Sequence, residues 1–273
     1  MAEHPTTICI LIPVLNEVHN IDELVSRIGA ALHGRDYLVC FVDDGSRDGT
    51  VERIRHGLKI PDTRIRLIER KKMMRGSQRG SALFAAMIWA LESTQCQTMV
   101  EMDGDLSHRP EELGQGLALL ESGVADVAIA SKYLSGSEVT NRPLARKLVS
   151  TICNIAVRLL ISRTISDYSN GYRFYTRAAA KLIAETRIVY ASPIYLTEAM
   201  GIWMSHGLRI REFPSHYVGR NEGLSKLRFI DLIKASIGIF EVAYRLHIRG
   251  FEKRSYAQSV EVANALSKRS VLR

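Results

Sequence analysis

Cysteine is scarce in this sequence. Cys9, Cys40, Cys96 and Cys153 are the only four in 273 residues, they are widely spaced, and three lie in or beside apolar strand-like runs. That pattern fits small buried side chains in a reducing, cytoplasmic setting better than a disulfide frame or a thiolate metal site. Long apolar runs are missing too: no window of about 18 residues is free of charge. The residues after Met1, AEHPTTICILIP, carry neither the basic stretch nor the small-residue cleavage site of a signal peptide. The chain is therefore expected neither to span a membrane nor to be exported. Internal repeats and low-complexity linkers are absent. So are the common glycine-rich phosphate cradles: DDGSRDGT has no lysine after a glycine loop, and no G-x-G-x-x-G follows the first apolar run.

Positive charge is plentiful. A net charge of +8 and a sequence pI near 9.4 favour anionic partners, whether nucleic acid, phosphorylated small molecules or a membrane surface. The basic residues are not interleaved with aromatics as a base-stacking platform requires, so no nucleic-acid partner is expected.

Apolar runs of strand length alternate with amphipathic segments of helix length, the pattern of a mostly parallel α/β sheet covered by helices on both faces. Strands are expected at TTICILIP, YLVCFV, RIRLIE, TMVEM, DVAIAS and LRIREFP, and helices over 20–32, 81–91 and from 142. SDYSNGYRFYTR reads as a loop. A last amphipathic helix runs from Phe229 to about Arg249, followed by a polar tail. The organisation expected is a catalytic domain over 1–228 and a C-terminal amphipathic helix and tail over 229–273.

Open α/β sheets bind ligands at the carboxyl ends of their strands. Three acidic loops fall at such ends: PVLNE, VDDGSRDGT and MDGDLSH. On an extended strand end, residues i and i+2 point the same way, so Asp103 and Asp105 are expected to face one crevice. Two carboxylates so placed repel unless a cation neutralises them, and Mg²⁺ is held by one or two carboxylates plus substrate phosphates. Turn and cap residues explain a bare D-x-D equally well. Acidic loops without a glycine cradle suit a nucleotide gripped through base, ribose and metal-bound diphosphate, as in a sugar nucleotide.

IPVLNE at 12–17, VDDGSRDGT at 42–50 and MDGDLSHRP at 102–110, in that order, resemble the family 2 glycosyltransferases of GT-A fold. MDGDLSH, SKY at 131–133, RKLVS at 146–150, DYSNGYR at 167–173 and GLSKL at 223–227 resemble the polyprenol-phosphate sugar transferases of that family, dolichyl-phosphate mannose synthases among them. The resemblance implies that Pro13, Leu15, Glu17 and Asp43 line the nucleotide pocket with Asp44 nearby. It implies that Asp103 and Asp105 hold Mg²⁺ or Mn²⁺, with Gly104 and Ser107 beside the diphosphate. Lys132, Arg146, Ser150, Arg220 and Lys226 would gather around donor and acceptor phosphates, whose mutual repulsion calls for several cations. The implied donor is a nucleotide-sugar, GDP-mannose favoured, and the acceptor a polyprenyl or dolichyl phosphate. The implied location is the cytoplasmic face of a membrane, on its surface or with a membrane subunit. The chain departs from the family at MMRGSQRGSA, where relatives read like G-L-G-T-A and only Gly80 is in register, and at Leu196, where related enzymes carry a lysine.

Inverting displacement by an already ionised phosphate oxygen needs no general base; a hydroxyl acceptor would. Glu198, the only formal charge between Ile188 and Leu208, is the candidate base for that second case, with a structural role the favoured alternative.

Overall fold

The computed structural model describes residues 8–58, 64–70, 79–141, 144–219 and 229–266. Its centre is a seven-stranded sheet of β1 (Ile8–Val14), β2 (Tyr37–Asp43), β3 (Ile65–Glu69), β4 (Thr98–Glu101), β5 (Val127–Ser131), β7 (Arg173–Thr176) and β8 (Ile210–Pro214), in the order β3-β2-β1-β4-β7-β5-β8. All neighbours pair in parallel except β7, which is antiparallel to both β4 and β5. A small parallel pair, β6 (Glu138–Thr140) and β9 (His216–Val218), lies apart from it.

The inner strands are apolar on both faces, as a doubly covered sheet requires. Along β1, Cys9 and Leu11 enter one core, and Ile8, Ile10, Ile12 and Val14 the other. The second core is closed by α1 (Ile21–Ala31), α2 (Thr50–Leu58) and α4 (Leu113–Glu121), through Leu24, Ile28, Ile54, Leu113 and Leu117. The first is closed by α3 (Arg79–Ser93), α5 (Leu144–Leu160), α6 (Arg177–Ala184), α7 (Tyr195–Ser205), α8 (Phe229–Tyr244) and α9 (Tyr256–Leu266). Val242 of α8 and Ala263 of α9 are buried in that same core. Cys9, Cys40 and Cys96 are buried free thiols, and Cys153 is half-buried.

Three features differ from the sequence reading. RFYT, expected as loop, is β7 and sits in mid-sheet; four residues beside turn formers carry too little periodicity to announce a strand, and its ladder bonds come from β4 and β5. The final helix turns into a π-helical stretch over Arg245–Arg249, ended by Gly250 at φ 81°. The tail read as polar contains α9, whose small apolar stripe lies against α3. Among the described residues no helix is long and apolar enough to cross a membrane.

Candidate active site

The loops after β1 and β2 are stitched together. The N–H groups of Asn16, Glu17 and Val18 donate to Ser46 Oγ (2.9 Å), Thr50 Oγ1 (2.8 Å) and Asp48 Oδ2 (3.1 Å), and Asn16 Oδ1 accepts from Arg47 N–H at 2.9 Å. Asn16 takes a left-handed φ of 58°, which asparagine tolerates better than most residues. Glu17 accepts from Asn20 Nδ2 at 2.7 Å. Pro13 is half-buried and Leu15 is exposed at the rim. The Asp43 carboxylate is buried and accepts from Gly45 N–H (2.8 Å) and Ser46 N–H (3.1 Å), so it shapes its own loop. Asp44 pairs with Arg70 at 2.9 Å, and Arg70 donates onward to Ser81 Oγ at 2.7 Å.

β4 ends at Glu101, two residues before the acidic pair, so Asp103 and Asp105 sit on a tight turn and not on extended strand. The turn lies against β1: a Cβ on Gly104 would come within 2.8 Å of Val14 Cγ1. Asp105 Oδ1 accepts from Ser107 N–H at 3.1 Å, and Leu106 has a φ of 60°. The Asp103 N–H donates to His108 Nδ1 at 3.0 Å, which leaves the His108 proton on Nε2, facing Asn170 Oδ1 at 2.9 Å. Burial, helped by the nearby Arg79 charge, pushes His108 down to about 3, so this imidazole is neutral at pH 7. It stacks on Tyr172 at 5.0 Å. Arg79, the first residue of α3, pairs with Asp103 Oδ1.

The network continues to β5. Asp167 is fully buried; its Oδ1 accepts from Ser169 N–H and Asn170 N–H, and its Oδ2 from Lys132 N–H at 3.0 Å. Lys132 Nζ donates to Ser169 Oγ at 3.2 Å, lies 3.7 Å from Asp167 Oδ2, and sits 5.1 Å over the Tyr217 ring. Hydrogen bonds thus run from the Asp103 backbone through His108, Asn170 and Asp167 to Lys132. Ser150, on α5, meets Tyr133 Oη at 3.4 Å. Arg146 lies on α5 with its side chain outside the described part; Arg220 and Lys226 lie outside the described residues.

The structure therefore brings Asp103, Gly104, Asp105, Ser107 and Lys132 to one end of the sheet, beside the paired loops of Pro13–Glu17 and Asp43–Asp44. The sequence reading missed Arg79, His108, Asp167 and Asn170. Each stands inside a motif named above, but the contacts that join them, Arg79 to Asp103, Lys132 to Asp167 and His108 to Asn170, span 24 to 62 positions and leave no local spacing signal. Glu198 lies elsewhere. It is fully buried on α7, accepts from Val189 N–H (3.0 Å) and Tyr190 N–H (3.0 Å), and pairs with Arg245 at 2.5 Å.

Residues 9–183 match the model of Glycosyl transferase family 2. The chain belongs to that family. This glycosyltransferase is 31% identical over 237 residues, 86% of each chain, to a polyprenol monophosphomannose synthase of Mycolicibacterium smegmatis. It is 34% identical over 168 residues to a dolichol-phosphate mannosyltransferase of Pyrococcus furiosus, a match covering 60% of this chain and 45% of that one. In architecture it resembles glucosyl-3-phosphoglycerate synthase from Mycobacterium tuberculosis, crystallised with Mn²⁺, UDP and glucosyl-3-phosphoglycerate. There the TM-score is 0.61 at 17% identity, covering 88% of this chain and 80% of the other. The fold is thus that of the GT-A glycosyltransferases, as the motif order implies.

Proposed function

We propose that this glycosyltransferase moves a sugar, mannose from GDP-mannose in the favoured reading, onto a polyprenyl phosphate by one inverting displacement. The observation that carries the proposal is the acidic turn Asp103-Gly104-Asp105 at the sheet's carboxyl edge, with Arg79 and Lys132 around it. The relatives named as polyprenol and dolichol phosphate mannosyltransferases support the acceptor and the sugar. Among the described residues no group of three or more metal-ligating side chains occurs. Two carboxylates on one turn nevertheless fit a Mg²⁺ or Mn²⁺ whose other ligands are water and substrate phosphate. Ser107 Oγ, buried without a hydrogen-bond partner among the described residues, is a further polar group beside that turn. Asp103 and Asp105 would hold the ion, whose charge stabilises the departing diphosphate.

The remaining chemistry belongs to the chain. The loops of Pro13–Glu17 and Asp43–Asp44 border the space for the nucleotide. Lys132, held by Asp167 and Ser169, adds positive charge for phosphate groups. The phosphate acceptor arrives ionised and needs no base. Glu198 supports this choice: it is fully buried and held by two backbone donors and Arg245, as a structural carboxylate is.

A donor screen by product mass, with polyprenyl phosphate and a panel of GDP-, UDP- and dTDP-sugars, tests the reading. A hexosyl-phosphate lipid formed with GDP-mannose is expected. Failure to form a glycosylated polyprenyl phosphate with any donor of the panel would overturn it.

The acceptor lipid accounts for a second surface. On α5, Ile152, Ile155 and Leu159 are exposed, and on α8 and its π-helical extension so are Ile237, Phe240, Tyr244 and Ile248. α5 and α8 pack side by side, and His247 Nε2 meets the Leu160 carbonyl at 3.0 Å. An apolar face flanked by Arg249, Lys253 and Arg254 suits an anionic bilayer interface. Phe240→Ser combined with Ile248→Ser is expected to lower sedimentation with anionic vesicles about tenfold, at the order of the apolar area removed. Equal sedimentation of both proteins would refute the membrane assignment. Deleting 229–273 is the poorer test, because it removes Arg245 from Glu198.

A further inference from the structure

Arg79 is the first residue of α3, and its guanidinium is built into the acidic turn. Nη1 pairs with Asp103 Oδ1, and Nη2 donates to the Gly171 carbonyl at 3.2 Å. Glu101 and Asp105 add to the negative field around it. The start of α3 is anchored: the Gly80 and Ser81 N–H groups share the Ala191 carbonyl at 2.9 and 3.4 Å, and Ser81 Oγ accepts from Arg70. Opposite, a Cβ on Gly171 would fall 2.0 Å from Arg79 Nη2, so the guanidinium fills space that only a glycine leaves open. The side chain is 15% exposed, and its Nε finds no acceptor among the described residues.

A carboxylate already paired with a guanidinium attracts a divalent ion less, because the incoming charge meets a like charge at contact distance. A nucleotide diphosphate changes this balance by offering arginine a second, bidentate anionic partner. We propose that Arg79 is the resident counter-ion of Asp103 in the donor-free enzyme, keeping divalent-ion affinity low until a nucleoside diphosphate draws the guanidinium away. Ion and nucleotide then bind as a coupled pair, each raising the other's affinity by the same factor. The inference rests on Asp103 and Asp105 being the metal ligands.

The test is Mn²⁺ binding, followed by electron paramagnetic resonance of free Mn²⁺, to the intact protein and to Arg79→Met, Arg79→Gln and Arg79→Lys. MnCl₂ is titrated alone, then with saturating GDP and with saturating UDP. Without nucleotide, Arg79→Met and Arg79→Gln are expected to bind Mn²⁺ about tenfold more tightly than the parent, and Arg79→Lys within about twofold of it. The nucleotide-induced gain should shrink in the two neutral variants. Two neutral replacements keep the comparison intact if one folds poorly. Unchanged or weaker Mn²⁺ binding by both, with the parent's nucleotide-dependent binding intact, overturns the counter-ion role alone. No Mn²⁺ binding by the parent even with nucleotide, or binding undiminished in Asp105→Asn, removes the metal assignment and this inference with it.

Discussion

Asp105→Asn is expected to lower kcat/KM for sugar transfer about a thousandfold, the order seen when one group stabilising a developing anion is removed from an active site. Asp105 is the better probe of the pair. Asp103 forms the direct ion pair with Arg79, which its replacement would break. The amide keeps an oxygen to accept from Ser107 N–H, now at 3.1 Å, so the turn should persist and the thermal midpoint stay within about 2 °C. Calorimetry with the donor should show the loss only in the presence of Mn²⁺. With chelator present, parent and variant should bind donor equally weakly. Full activity in chelator, or in the variant, would show that the acidic turn serves no cation.

The second large effect is on stability. Glu198→Ala leaves Arg245, 5% exposed, without its carboxylate, and leaves the Val189 and Tyr190 N–H groups without an acceptor. Breaking a buried pair from one side costs about 3–5 kcal/mol, because an uncompensated charge stays in the interior. For a chain of this size that lowers the melting midpoint by roughly 5–10 °C. Burial pushes the Glu198 carboxyl up, and the two backbone donors and Arg245 pull it back, so the group is a costly structural clamp. Adding Arg245→Met to Glu198→Ala should recover part of the loss, and a thermal melt reads both. At a temperature where Glu198→Ala is folded, transfer to a phosphate acceptor should stay within about threefold of the parent, since no base is needed. A thousandfold loss there would return Glu198 to the role of base.

Much of this was legible in the chain. The apolar run ICILIPV had to be a strand buried on both faces, and YLVCFV and DVAIAS likewise. A parallel sheet then gathers the loops that follow such strands at one edge, which places the acidic motifs together. Amphipathic spacing marked α1 and α8. On α5 and α8 that spacing marks the helices but not what their apolar faces meet: Ile152, Ile155 and Leu159 of the one and Ile237, Phe240 and Tyr244 of the other are exposed, and α5 meets the core through Val157. An apolar stripe tells that a face is hydrophobic, not what covers it. The acidic pair is not carried on an extended strand end as its i, i+2 spacing suggests: the strand stops at Glu101 and a turn presents both carboxylates.

The sequence by itself determined the sheet-and-helix alternation, the placement of the acidic loops and the family, because each depends on periodicity or on motifs of adjacent residues. Only the tertiary structure decided that RFYT is a central strand, that Arg79 faces Asp103 and that Glu198 is clamped by Arg245. Those outcomes depend on backbone and charge partners far apart in the chain, brought within bonding distance only when two cores close on opposite faces of one sheet.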